Sequence, residues 1–274
     1  GRKKIRRAKQ QQLGFLRRNF KAIDRLFDNP NALPLCGLFR RQYKNLLVAR
    51  ELFRQQLEMF ENNSQRVDDR IVSISQPHVR PIVRGKARSN VEFGAKISVS
   101  LVNGFSFVDR ISWDNFNESC DLISQIEDYY NRFGCYPESV HADQIYRTRA
   151  NRQYCKERGI RLSGPPLGRP KKVTETNASE LKQERRVIQQ DEIDRIAIEG
   201  KFGQGKRRFS LSLIMAKLAR TSESAIVISF IVMNLEKILS GLLYFLLCFC
   251  RRLRIALREH AAGDRNQDWC MRMA

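Results

Sequence analysis

The stretch ESVHADQIYRTRANRQYCKERGIRLS, residues 138–163, decides the fold because its pattern changes twice over a short distance. A short strand ends at Asp143, a helix is predicted from about Arg147 to Arg158, and a second strand, GIRLS, follows. This order is typical of a mixed α/β sheet covered by helices. An acid at the end of a strand lies where sites are commonly built, but it also commonly caps the next helix. Both interpretations of Asp143 stay open at this point.

The charge of the chain predicts a polyanionic partner. Lys and Arg total 50 against 29 Asp and Glu, a formal net charge of +21, and fourteen of these cations lie within residues 1–50 beside only two acids. Such an excess suits a nucleic-acid backbone or an anionic membrane surface. Seven scattered cysteines without a C-x-x-C pair indicate reduced thiols in a cytoplasm, and three histidines argue against a His/Cys zinc site.

The first part of the chain predicts two basic helices. Apolar residues recur at helical spacing from Leu13 to Phe27, the segment with Pro30 and Pro34 interrupts them, and a second helix is predicted from about Leu38 to Phe60. Two helices joined by a proline turn form an antiparallel hairpin, which we assign to residues 1–66. Its cations either contact DNA or are simply solvated.

Later segments predict strands, a connector and an apolar helix. Asn103-Gly104 lies between two strand-like stretches and predicts a hairpin. Residues 174–190 are polar and predict a solvated connector or lid. The apolar run Ala225–Cys250 is interrupted at positions 234, 236 and 237, and its pieces are shorter than the roughly 20 residues that cross a bilayer. We therefore expect a helix that covers a sheet face.

A second acid of interest is Glu199, within DEIDRIAIEGKFGQGKRRFSL, residues 191–211. It forms either an exposed i,i+4 ion pair with Arg195 or part of a metal site beside a polyanion. If Asp143 and Glu199 meet in space, their oxygens suit Mg²⁺ or Mn²⁺. Two such ions activate a water or a 3′-hydroxyl and stabilise the leaving oxygen of a phosphodiester. Two acids alone are usually too few for this chemistry.

These segments resemble those around the second and third acids of the DDE transposases of bacterial insertion sequences. The likeness rests on HADQIYRTRANRQYCKERGIRLSGPPLGRP, residues 141–170, and on DRIAIEGKFGQGKRRFSL, residues 194–211, followed by MNL. In the family motif Tyr-x2-Arg-x3-Glu-x6-Lys, three positions fit and Glu192 stands where the family has tyrosine; the three that fit are Arg195, Glu199 and Lys206. DRIVSISQPHVRPIVRGKA, EFGAKIS and SWDNFNES resemble the subgroup with a helical insertion in the catalytic domain.

The resemblance implies a ribonuclease-H-like mixed sheet flanked by helices, preceded by the basic helical hairpin. Residues 67–238 would form this core without its first strand, and residues 239–274 the end of an apolar helix and a basic tail. It also implies metal-dependent DNA strand cleavage and 3′-end transfer, with Mg²⁺ or Mn²⁺ on Asp143 and Glu199. Arg195 would orient Glu199, and Lys206 would hold a DNA phosphate.

The first acid of the family is expected upstream of Gly1, so we expect a truncated copy that binds DNA and is catalytically incomplete. The expected partners are insertion-sequence ends and target DNA in a bacterial cytoplasm, at the nucleoid, with a homodimer left open and with no small-molecule substrate and no membrane. Two alternatives stay open: a non-catalytic nucleic-acid-binding remnant, and a membrane-surface protein that uses the apolar helix and RRLR after it. The predicted DNA-binding residues are Arg80, Arg84, Lys86, Arg88, Arg169, Lys171, Lys172, Lys206 and Arg207.

Overall fold

The structure, a computed structural model, describes residues 1–28, 37–83, 91–165, 168, 174 and 177–271. The chain divides into two compact units. The first unit comprises Gly1–Ser98, Arg110–Glu118 and Met215–Ser224; the second comprises Val99–Asp109, Ser119–Ile214 and Ala225–Ala274. The division predicted above into hairpin, core and tail stays a prediction.

The first unit begins with two helices, α1 (Arg2–Phe27) and α2 (Arg40–Glu61). They run antiparallel, because Phe20 contacts Phe53 with ring centroids 5.4 Å apart while the Arg6 guanidinium lies over the Phe60 ring. An ion pair between Asp24 and Arg50 adds to this contact. Apolar side chains at helical spacing thus pair the helices, and most of the basic side chains are exposed. That the pair is an insertion in a catalytic domain stays a prediction.

The described strands pair two by two. Strand β1 (Arg80–Val83) pairs antiparallel with β2 (Val91–Gly94), and β3 (Lys96–Val102) pairs with β4 (Phe105–Ser112) around a two-residue turn. Both turn residues, Asn103 and Gly104, have positive φ (50° and 77°), which suits a hairpin of type I′. Strand β5 (Ser139–Val140) pairs in parallel with β6 (Arg161–Leu162).

The described residues confirm a mixed α/β structure with small sheets and many helices. They do not confirm the single mixed sheet of the predicted ribonuclease-H-like fold. Strands β5 and β6 are only two residues long. Pro137 stands two residues before β5, and β6 lies between Gly159 and Gly164, whose φ values are 67° and 107°. Backbone of this kind ends a strand on either side.

The second unit has its core around α3 (Leu122–Phe133) and α4 (Arg149–Glu157). Four buried side chains form this core: Leu122, Ile126, Cys155 and Ile160. The half-buried Val140 of β5 and Leu162 of β6 pack against this core. The core therefore positions the short parallel strand pair, and Asp143 follows β5 by three residues. The amide of buried Asn151 donates to the carbonyls of Ser119 and Tyr146, both at 2.8 Å.

Helix α5 spans Ala178–Arg208, so the prediction of a connector over residues 174–190 is wrong from position 178 onward. The segment has few apolar residues, and Val187, Ile193 and Ile196 are exposed. It is rich in Glu, Lys, Gln and Arg, which favour helix by themselves. Intrinsic propensity therefore forms this part of α5, and a search for an apolar stripe does not find it.

Helix α6 spans Ala219–Met271. Within the second unit, Ile226, Phe230 and Met233 are buried, whereas apolar side chains from Ile238 to Leu253 are largely exposed. By length and composition alone, its section Ala219–Arg254 is apolar enough to cross a membrane, which is weak evidence for a span. That the protein has no membrane partner therefore stays a prediction.

Candidate functional site

Asp143 lies directly beyond β5, at the start of a short 3-10 helix, Gln144–Tyr146. Its backbone is extended (φ −63°, ψ 160°), and its side chain does not cap that helix. Instead, Asp143 Oδ1 accepts a hydrogen bond from Arg195 Nη1 at 3.0 Å. Of the two interpretations of this acid, capping is thus excluded for the side chain, and the carboxylate points to α5.

Helix α5 brings Glu199 to the same guanidinium. Glu199 Oε1 accepts from Arg195 Nη1 at 3.2 Å, and Asp143 Oδ1 accepts from the same nitrogen. The two carboxylate oxygens are therefore no farther apart than the sum of these two short distances. The side chains of Asp143 and Glu199 are 67% and 64% exposed, so both are open to solvent. The structure thus brings together two acids that are 56 positions apart in the sequence.

Glu192 is a third carboxylate on Arg195. Its Oε2 accepts from Arg195 Nε at 3.3 Å and from Nη2 at 3.1 Å, since residues three apart on a helix are neighbours. The hydrogen bond to Glu192 is the largest influence that raises the pKa of Arg195, and the charges of Asp143 and Glu199 raise it further. Glu192 Oε1 lies 3.9 Å from Nη2 of a second arginine, Arg147. Sequence reasoning noted Glu192 only as a departure from the tyrosine of the motif.

The residues present fit a divalent cation, with one condition. Asp143 and Glu199 offer hard oxygen ligands that converge on one point, as Mg²⁺ and Mn²⁺ require. In this structure the positive Nη1 of Arg195 occupies that point. A metal ion that binds both oxygens has to replace this nitrogen, so the donors fit the ion only if Arg195 moves. The roles of both acids as metal ligands stay predictions.

A second group of possible metal ligands lies nearby: His141, Asp191 and Asp194 offer atoms within 4.8 Å of one another. Asp191, however, is 5% exposed and its Oδ2 already accepts from Arg161 Nη1 at 2.7 Å. His141 Nδ1 lies 3.3 Å from Asp191 Oδ1, and its Nε2 contacts Ser139 Oγ at 3.0 Å. Since Asp191 is paired, this group holds α5 on the β5–β6 pair. Sequence reasoning missed this group, although DEID, residues 191–194, contains both of its acids.

The predicted DNA-binding residues are divided between described and undescribed parts of the chain. Lys206 and Arg207 are exposed near the end of α5. Lys206 follows Glu199 by seven positions, two helical turns, and so lies on the same face of α5. Arg80, in the first unit, donates to the carbonyl of Pro77 and lies 3.7 Å from Asp69. The other six lie outside the described residues: Arg84, Lys86, Arg88, Arg169, Lys171 and Lys172.

Comparison with known proteins gives one match. Residues 140–236 match the family model of the transposase DDE domain. The matched segment begins at Val140, the last residue of β5, and contains Asp143, α5 and the buried part of α6. No curated protein and no solved structure matches the chain. The match confirms the resemblance to DDE transposases; the insertion-sequence subgroup and the truncation stay predictions.

The pairing of Arg161 with Asp191 predicts a pH-dependent stability. Burial by itself raises the pKa of Asp191, but the hydrogen bond from Arg161 and the charges of Arg161 and His141 outweigh it, and the pKa is lowered. An acid with a lowered pKa stabilises the fold above its unfolded pKa, about 3.9, and loses this effect as pH falls through the folded value. Arg161→Met should therefore reduce the free energy of unfolding at pH 7 by about 1 to 2 kcal/mol, since Arg161 is half exposed.

Urea unfolding at pH 7 and at steps down to pH 3 measures this effect. The difference between wild type and Arg161→Met should shrink as the pH falls toward about 3.9 and below, because protonated Asp191 no longer pairs with Arg161. Arg186→Met, at an exposed position on α5, the helix of Asp191, is the control and should change stability by less than about 0.5 kcal/mol. A difference that stays constant from pH 7 to pH 3 contradicts the role given to Asp191.

Proposed function

We propose that the chain is the DNA transposase of an insertion sequence, and the match of residues 140–236 to the transposase DDE domain supports this proposal. In this proposal the protein cleaves DNA strands and transfers a 3′ end to target DNA in a reaction that depends on Mg²⁺ or Mn²⁺. One observation carries it: Arg195 Nη1 bridges Asp143 and Glu199, so that the residues that resemble the second and third acids of the family meet at one point. Asp143 and Glu199 are 56 positions apart in the sequence, so their local spacing does not explain why they meet.

The chain's own residues divide the work in this proposal. Asp143 and Glu199 would hold the metal, which supplies activation of a water or 3′-hydroxyl and stabilisation of the leaving oxygen. Arg195 orients Glu199 through their hydrogen bond. Lys206, two turns farther along the same face of α5, would hold a phosphate roughly 10 Å from Glu199 along the helix axis. One DNA strand can reach both positions.

The charge distribution supports DNA as the partner. The net charge is +21, and residues 1–50 contribute 14 cations against two acids. Nucleic-acid backbone binds such surfaces by releasing counterions. A transposase of this kind acts on DNA in the cytoplasm of its host, at the nucleoid, and needs no small-molecule substrate. A homodimer would let two copies act on two DNA ends.

The second candidate is a non-catalytic, DNA-binding remnant of such a transposase. Only two of the three metal-binding acids of the family are matched by residues of this chain, and an arginine lies between them. In this second candidate the chain binds DNA and metal but is catalytically incomplete. The two candidates differ in one measurable respect: only an active transposase joins a 3′ end to target DNA when Mg²⁺ is present.

The metal assignment predicts the effect of removing either acid. Asp143→Asn and Glu199→Gln should each lower the affinity for Mn²⁺ at least tenfold, because even residues that only support metal ligands have effects of this size. The free Mn²⁺ signal in an electron paramagnetic resonance titration measures the affinity. Glu180→Gln, at an exposed position near the start of α5, is the control and should bind as the wild type does. Unchanged affinity in both acid variants would place the metal elsewhere.

The phosphate assignment predicts how Lys206→Ala changes DNA binding. Because a lost phosphate contact releases one fewer counterion, the slope of log K against log salt should become shallower by about 0.9. Fluorescence anisotropy with duplex DNA at several NaCl concentrations gives this slope. Lys182→Ala removes an exposed lysine near the other end of α5 and should leave the slope nearly unchanged. Equal effects of the two variants would show that Lys206 contributes only to the overall charge.

A further inference from the structure

The guanidinium of Arg195 makes two separate sets of hydrogen bonds. One nitrogen, Nη1, donates to Asp143 and to Glu199. The opposite edge, Nε and Nη2, donates to Glu192 Oε2 alone. The arginine thus contacts the two predicted metal ligands through one atom and keeps a separate contact with a third carboxylate. Its side chain is 23% exposed, less than those of the three acids around it.

The charges around this guanidinium favour a further cation. Asp143, Glu192 and Glu199 carry three negative charges against the single charge of Arg195. Arg147 compensates Glu192 in part, at 3.9 Å, but its Nη2 also donates to the Ala142 carbonyl at 3.3 Å. Asp143 and Glu199 therefore remain undercompensated by Nη1 alone. A divalent ion at their shared point would balance them better than one nitrogen of a guanidinium does.

A metal ion and Nη1 cannot occupy this point together, because both are positive and both bind the same two oxygens. Replacement of Nη1 by a metal ion breaks the hydrogen bonds of Nη1 to Asp143 and Glu199. It leaves the hydrogen bonds of Nε and Nη2 to Glu192 in place. An arginine without that edge contact would instead direct its whole charge to Asp143 and Glu199. It would then compete with the metal more strongly.

We propose that Glu192 is a positioning residue for the metal site: it holds Arg195 by the Nε–Nη2 edge, so that a divalent ion replaces Nη1 between Asp143 and Glu199 and the arginine stays in place. The proposal rests on the proposed function, since it takes these two acids as the metal ligands. Glu192 itself does not bind the metal. It acts through Arg195, and its effect on metal affinity disappears when the arginine is absent.

A double-mutant cycle with Mn²⁺ tests this role. Glu192→Gln in the wild-type background should weaken Mn²⁺ binding roughly fivefold, because the released Arg195 competes for the two acids. In the Arg195→Met background, the same substitution should change affinity less than about twofold. The titrations are performed in 0.5 M NaCl, which screens the long-range effect of removing one negative charge. Glu192→Asp, which keeps the charge with a shorter side chain, should lie between wild type and Glu192→Gln.

Three results overturn the role of Glu192. An equal loss in both backgrounds makes Glu192 a direct ligand, no loss in either gives it no role, and a gain on Glu192→Gln reverses the competition. Circular dichroism of each variant shows that the fold is kept. Asp143→Asn is titrated with Mn²⁺ in parallel. This titration tests whether Asp143 binds the metal at all, which the proposed function requires. If that variant binds as tightly as the wild type, or if the wild type binds no Mn²⁺, the proposed function fails as well.

Discussion

The arrangement of the candidate site depends on one nitrogen atom, Nη1 of Arg195, which donates to Asp143 at 3.0 Å and to Glu199 at 3.2 Å. Asp143 follows a strand of only two residues, and Glu199 lies on α5, where Phe202 packs on Phe230 of α6 while Ile193 and Ile196 are exposed. Because Glu199 and Arg195 lie on the same helix, the hydrogen bond between Arg195 and Asp143 is the contact of this nitrogen that joins α5 to the end of β5.

A second ion pair, between Asp191 of α5 and Arg161 of β6, supports this arrangement. Asp191 is buried and joins Arg161 of β6, while His141 lies between Asp191 and the end of β5. Because Asp191 and Arg195 are four positions apart on α5, one helical turn carries both the contact with the strands and the contact with Asp143. Removing the partner of a buried charge is costly, so this pair restricts where α5 can lie.

Much of this arrangement could be predicted from the sequence, and the failures have physical reasons. The strand, acid and helix at residues 138–158 follow from local pattern, and the motif identified Arg195 and Glu199. The start of α5 could not be found from periodicity, because its helix is formed by the propensity of charged residues and not by an apolar face. The turn Asn103-Gly104 predicted the pairing of β3 with β4, but the other two strand pairs depend on tertiary geometry. So does the contact of Asp143 with Arg195, which are 52 positions apart in the sequence.

We propose that Asp143 and Glu199 share one cation position, which Arg195 fills when no metal is bound. The most direct test is a crystal structure of the protein with MnCl₂, in which anomalous scattering locates the manganese. We expect a peak at about 2.1 Å from an oxygen of each acid, with Nη1 of Arg195 displaced and the Nε–Nη2 edge still on Glu192. A peak on His141, Asp191 and Asp194, with Arg195 still between the two acids, would contradict it.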